Sequence, residues 1–124
     1  MAKTGKKGLR RILNAFVYSA QGFGAAWRHE AAFRQELLLV AVLFPLAIWL
    51  GRNAIEYALL IGSLVVVLIV ELLNSAIEAA IDRHGDEHHE LSGRAKDMGS
   101  AAVFMGLVLI AVVWGIITYD RFVA

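Results

Sequence analysis

The chain has 124 residues, 59% of them apolar, with one proline and no cysteine, and its mean hydropathy is +0.63. A soluble domain is usually about 45–50% apolar, so the composition points to a membrane protein, and the absence of cysteine excludes a disulfide framework and thiolate chemistry. A formal charge of +1 with no basic, aromatic-laced stripe speaks against a nucleic-acid partner.

Residues 1–8 read as a flexible basic terminus, where Lys3, Lys6 and Lys7 can touch anionic lipid headgroups at about 1 kcal/mol per charge. Thr4-Gly5-Lys6 lacks the spacing of a phosphate loop. The first thirty residues hold no sustained apolar core with a cleavage pattern, so membrane targeting is expected to come from the spans themselves. From 9 to 29 the pattern predicts an amphipathic helix lying in the interface. Leu9, Ile12, Leu13, Phe16, Ala20, Phe23 and Trp27 recur at helical spacing, and Arg10, Arg11, Asn14, Tyr18 and Gln21 fall elsewhere. Gly22 and Gly24 mark a bend or a close backbone approach.

The first predicted span, about 31–51, has an uncharged run from Leu37 to Gly51 that includes Pro45. Crossing the hydrocarbon takes about twenty residues, so Glu30-Ala-Ala-Phe-Arg-Gln-Glu36 must lie near the interface. Helical continuation there sets Glu30 and Arg34 at i and i+4 as an ion pair.

The second predicted span, 54–82, ends in a polar stripe. Glu71, Asn74, Ser75, Glu78 and Asp82 fall within an arc of roughly 100° on one helix face. A carboxylate at the depth of Glu71 costs at least a few kcal/mol in hydrocarbon, so it is expected to be buried against protein or water and to have a function there. The segment His84-Gly-Asp-Glu-His-His-Glu90 is rich in metal-ligand types, but its spacing reads as a solvated loop. The third span lies within a helix predicted at about 94–120, with Trp114 and Tyr119 as an aromatic belt.

Lysine and arginine placement sets the orientation. Ten of them precede the first span or fall in the loop before the third, and only Arg52 and Arg121 lie on the other side. The N-terminus is therefore expected in the cytoplasm. Ser75 with Ala79, Ala76 with Ala80, and Ala102 with Gly106 form small-xxx-small pairs that permit close helix approach. Three spans make a thin bundle for shielding Glu71 and Glu78, so self-association is expected.

Oxygen ligands such as Glu30, Glu78 and Asp97 suit Mg²⁺ shared with substrate phosphates. Lys96, Arg94 and Arg11 can offset phosphate charge. Glu71, set deeper, can take a proton from a lipid hydroxyl. The same residues also fit a proton or ion pathway, so side-chain chemistry alone leaves both an enzyme and a conductor open.

Three stretches carry a resemblance: Glu30-Ala-Ala-Phe-Arg-Gln-Glu36, Val70-Glu-Leu-Leu-Asn-Ser-Ala-Ile-Glu-Ala-Ala80 and Glu90-Leu-Ser-Gly-Arg-Ala-Lys-Asp-Met-Gly-Ser-Ala-Ala102. In the same order they closely resemble the bacterial integral-membrane diacylglycerol kinases, within the prokaryotic diacylglycerol/undecaprenol kinase family. The resemblance covers about Arg11 to Trp114. It implies an all-α protein of the bacterial inner membrane, with a surface helix and three transmembrane helices per subunit, assembling as a homotrimer. It also implies the phosphorylation of diacylglycerol to phosphatidic acid with MgATP.

Carried onto matching positions, Glu71 looks like the catalytic base, and Glu30 and Glu78 like the metal carboxylates. Asn74, Lys96 and Asp97 look like the residues that position the phosphates and reacting groups. Arg11, Tyr18, Glu87, His88 and His89 resemble nucleotide contacts, together with Glu30, Glu78, Lys96 and Asp97. Arg11, Ser19, Trp27, Arg34, Trp49, Ser100 and Trp114 fall where the family lines its lipid site. Gln21 and Gly24 stand where close relatives carry basic residues. Undecaprenol is the alternative substrate within the family.

Overall fold

The computed structural model describes residues 7–85 and 89–124, and its regular structure there is entirely helical. The elements are α1 (Gly8–His29), α2 (Ala31–Leu50), α3 (Ala54–Asp82) and α4 (Glu90–Phe122). The last three are long and apolar enough to cross a membrane. Large apolar side chains cover their outer surfaces, among them Leu38, Val42, Ile69, Phe104 and Ile116. That arrangement suits hydrocarbon, where a helix satisfies its own backbone polar groups.

α3 is the central helix, packing along α2 on one side and α4 on the other. Two small clusters form the core, Ala47, Leu50, Leu60 and Ile117 in one, and Leu64, Val67 and Ile110 in the other. Trp114 packs against both. Its indole N–H donates to Ser63 Oγ over 3.2 Å, and that hydroxyl donates to the Leu60 carbonyl at 2.8 Å. A polar chain inside the bundle is thereby satisfied without water.

Between α1 and α2 the chain leaves the helical conformation only at Glu30, with φ −120° and ψ 104°. The expected i to i+4 pair of Glu30 with Arg34 does not form. Glu30 is a corner rather than a helical residue, and Arg34 Nη1 donates to the Trp27 carbonyl at 2.6 Å. That carbonyl belongs to the last turn of α1, where helices leave acceptors unused, so Arg34 fastens the corner.

The turn from α2 to α3 is held more tightly. Asn53 caps α3 by accepting the Glu56 N–H at 3.0 Å. Arg52 bonds Glu56 Oε2 and Asp120 Oδ2, each at 2.6 Å. The hydrogen bond to Glu56 first, and then the one to Asp120, push the Arg52 pKa above the ordinary arginine range. Arg121 donates to the Trp49 and Leu50 carbonyls at 2.6 and 2.7 Å and lies 4.9 Å from the Trp49 ring centre. The ends of α2 and α4 and the start of α3 thus form one polar knot.

α3 ends in a turn at Gly85, where φ is +92°, a backbone region that glycine enters without a Cβ penalty. α4 then starts at Glu90, earlier than the predicted 94, because His89 Nδ1 accepts the Leu91 N–H at 3.1 Å and caps the helix.

Candidate active site between α1 and α3

The polar face of α3 is graded in depth. Glu71 is 1% exposed, Ser75 7% and Asn74 8%, Glu78 is half-buried and Asp82 is exposed. At 1.5 Å per residue the stripe from Glu71 to Asp82 is roughly 16 Å long. Ser75 Oγ donates to Glu71 Oε1 over 3.4 Å, a long bond that is the deepest polar contact on the stripe. Glu71 and Glu78 belong to this stripe, and Glu30 lines a cavity beside it.

A cavity of about 540 Å³ opens beside this face. Gly22, Phe23, Ala25 and Ala26 of α1 form one wall, and Leu72, Ser75, Ala76 and Ala79 of α3 the other. Ser75, Ala76 and Ala79 face this open space because α3 packs on α2 and α4, while α1 rests chiefly on α2. Ser19, His29 and Glu30 complete its lining. Ser75 both lines the cavity and holds Glu71, so the buried carboxylate is one hydrogen bond from it.

The α4 side is built by Gly99 and Lys96. Gly99 is buried against the Asn74 side chain, and three residues earlier, on the same helix face, Lys96 Nζ donates to Asp82 Oδ1 at 2.8 Å. The stripe therefore meets α4 antiparallel, Asn74 at Gly99 and Asp82 at Lys96. Asp97 and Ser100 are exposed on α4. Among the described residues, no three His, Asp or Glu side chains converge at metal-ligand spacing. A divalent cation here would be held by one or two carboxylates and complete its shell from a substrate, as Mg²⁺ commonly does.

The structure brings Ser19 and Glu30 to the cavity and Glu71 beside it, with Glu78 half-buried further along the same face of α3. Arg11 and Tyr18 are exposed on α1, as is Trp27, whose carbonyl receives Arg34. Trp49 lies at the opposite end of α2, roughly 30 Å from Glu30 by helix rise, and Trp114 is turned to Ser63. His89 is engaged as the α4 cap. Glu87 and His88 lie outside the described residues.

Sequence reasoning did not assign His29 and Glu36, nor Ser75 a site role. Glu36 carries a buried oxygen without a hydrogen-bond partner among the described residues. Its position at the head of a span, within one of the three matching stretches, was the available signal.

Family comparison matches residues 17–118 to "Prokaryotic diacylglycerol kinase". The chain belongs to that family. A protein of Pseudomonas aeruginosa named diacylglycerol kinase is 57% identical over 113 residues, 91% of this chain and 92% of its own. Those of Escherichia coli K12 and Haemophilus influenzae, named alike, are 52% and 50% identical. Their matches cover 93% and 87% of this chain, and 94% and 92% of their own lengths. The family similarity thus spans all three apolar helices and most of α1.

Proposed function

We propose that the protein is a lipid kinase that transfers the γ-phosphoryl group of MgATP to the free hydroxyl of diacylglycerol, forming phosphatidic acid and ADP. The observation that carries this reading is the buried Glu71, linked through Ser75 to the α1–α3 cavity. That cavity suits part of an acyl-glycerol: its walls are mostly apolar, and its few polar residues are Ser19, Ser75, His29 and Glu30.

In this mechanism Glu71 accepts the proton of the lipid hydroxyl as its oxygen attacks the γ-phosphorus and ADP leaves. Glu30 and Glu78 would hold Mg²⁺, which when bound would offset charge building on the phosphate oxygens. Asn74, Lys96 and Asp97 orient the phosphates. Arg11, Tyr18 and His89 extend the nucleotide site, with Glu87 and His88 assigned there by resemblance. Arg34, Trp27 and Ser100 are assigned to lipid contact by resemblance, whereas Trp49, held by Arg121 at the far end of α2, and Trp114, bonded to Ser63, stand apart from the cavity.

The subunits assemble as a homotrimer. Assembly is supported by the exposed apolar faces of the spans and by the family resemblance. In the bacterial inner membrane, α1 lies in the cytoplasmic interface with its apolar side chains in the acyl region, and the basic N-terminal side faces the cytoplasm.

The test is ATP-dependent lipid labelling in mixed micelles, with diacylglycerol and undecaprenol offered separately, each with and without Mg²⁺. Magnesium-dependent phosphatidic acid is the expected product. Labelling of undecaprenol alone would keep the mechanism and replace the substrate. No labelling of either lipid by a folded oligomer would overturn the kinase reading.

A further inference from the structure

Asn74 and Gly99 meet where α3 crosses α4, far apart in sequence and both buried. A Cβ built on Gly99 would collide with Asn74 Oδ1 and lie 3.2 Å from its Cγ. That oxygen is buried and has no hydrogen-bond partner among the described residues. A buried acceptor without a hydrogen bond is costly, and this one fits against α4 only because Gly99 carries no side chain. The bare Gly99 leaves the room that the amide oxygen occupies, and a side chain there would move it.

We propose that Gly99 is a positioning residue: its missing side chain fixes the Asn74 amide in the orientation the transfer step requires. This rests on the placement of Asn74 in the active site. An added methyl meets the end of a rotatable side chain, so Gly99→Ala displaces the amide and leaves the helix pair in place.

Gly106 is the natural comparison. It too is buried against α3, but a Cβ there would stand 3.3 Å from Val67 Cγ2 and 3.6 Å from Val67 Cα. Val67 is β-branched, stiff at χ1, and cannot turn aside, so Gly106→Ala strains helix packing instead.

The experiment uses the full chain in mixed micelles. It measures kcat, the KM for MgATP and for diacylglycerol, thermal midpoint and oligomer size for Gly99→Ala, Asn74→Ala, the double variant and Gly106→Ala. Misplacing a reacting group by about 1 Å can cost ~100-fold in rate, so Gly99→Ala is expected to lower kcat about 10- to 100-fold. Its KM values and oligomer size stay as in the parent. The double variant keeps the kcat of Asn74→Ala, because the glycine acts only through the amide. Gly106→Ala lowers the thermal midpoint and retains kcat.

Parent-like kcat in Gly99→Ala, or a double variant slower than Asn74→Ala, overturns the inference. If Gly99→Ala does not fold, the double variant decides: recovery on removing the amide supports the contact, and continued misfolding assigns the glycine to packing and overturns it. Parent-like kcat in Asn74→Ala would instead remove Asn74 from the site. An inactive Asn74→Ala beside an active Gly99→Ala would reject the glycine's role and leave the kinase reading standing.

Discussion

Ser75 donates its hydroxyl proton to Glu71 over 3.4 Å, and the same Ser75 lines the cavity between α1 and α3. One turn of helix thus connects a carboxylate that is 1% exposed to the cavity proposed for the lipid. The contact between the two follows from the i to i+4 geometry of α3, whereas the burial of Glu71 comes from the helices packed on α3.

Glu71→Gln keeps the side-chain volume and the Ser75 contact but removes the basic oxygen. Loss of a general base typically costs about 10²–10⁴ in rate, and kcat for lipid phosphorylation is expected to fall by that much. Oligomer size and thermal midpoint should be unchanged, by chromatography and melting in detergent. Parent-like turnover in this variant would remove Glu71 from the base role.

Ala76→Leu and Ala79→Leu put bulk into the cavity wall opposite α1. The KM for diacylglycerol should rise about tenfold or more, the order of 1–3 kcal/mol that overfilling a packed space costs. The KM for MgATP should stay within a factor of about two, since a change of a few tenths of a kcal/mol is typical of sites that share no partner. Equal rises in both constants would place the cavity outside the lipid site.

Asp82 and Lys96 pair at 2.8 Å in an exposed position. Such pairs contribute about 0–1 kcal/mol, so Asp82→Asn should barely move the thermal midpoint. Lys96→Ala should instead raise the KM for MgATP or lower kcat, because it removes a cation from the proposed phosphate site. If both variants only destabilise, the lysine is a structural clamp.

Gly51 is buried, and a Cβ there would lie 2.5 Å from the Tyr57 ring. Gly51→Ala is expected to destabilise the α2–α3 turn by about 1–3 kcal/mol, read from denaturation in micelles. The turn lies at the far end of α2 from Glu30, roughly 30 Å away, so kcat in the folded fraction should be retained.

Much of the candidate site was legible because its order is local. Glu71, Asn74, Ser75 and Glu78 belong to a single helix, and 3.6-residue periodicity alone puts them on one face. Spans were legible for the same reason, from apolar length against bilayer thickness. The Glu30–Arg34 pair was misread because periodicity was carried through Glu30, where the chain turns and Arg34 finds the Trp27 carbonyl instead. Small residues on α3 signalled close approach, but not that a cavity would lie between them and α1.

By itself, then, the sequence determined the helical class, the three apolar segments, the polar stripe and the kinship of the chain, all properties of contiguous residues. Only the tertiary structure decided which stripe residues are buried, that Ser75 joins Glu71 to a cavity, and that Asn74 rests on Gly99. Those facts depend on helices remote in sequence packing at particular heights and rotations, and helix periodicity carries no information about the surface that will face it.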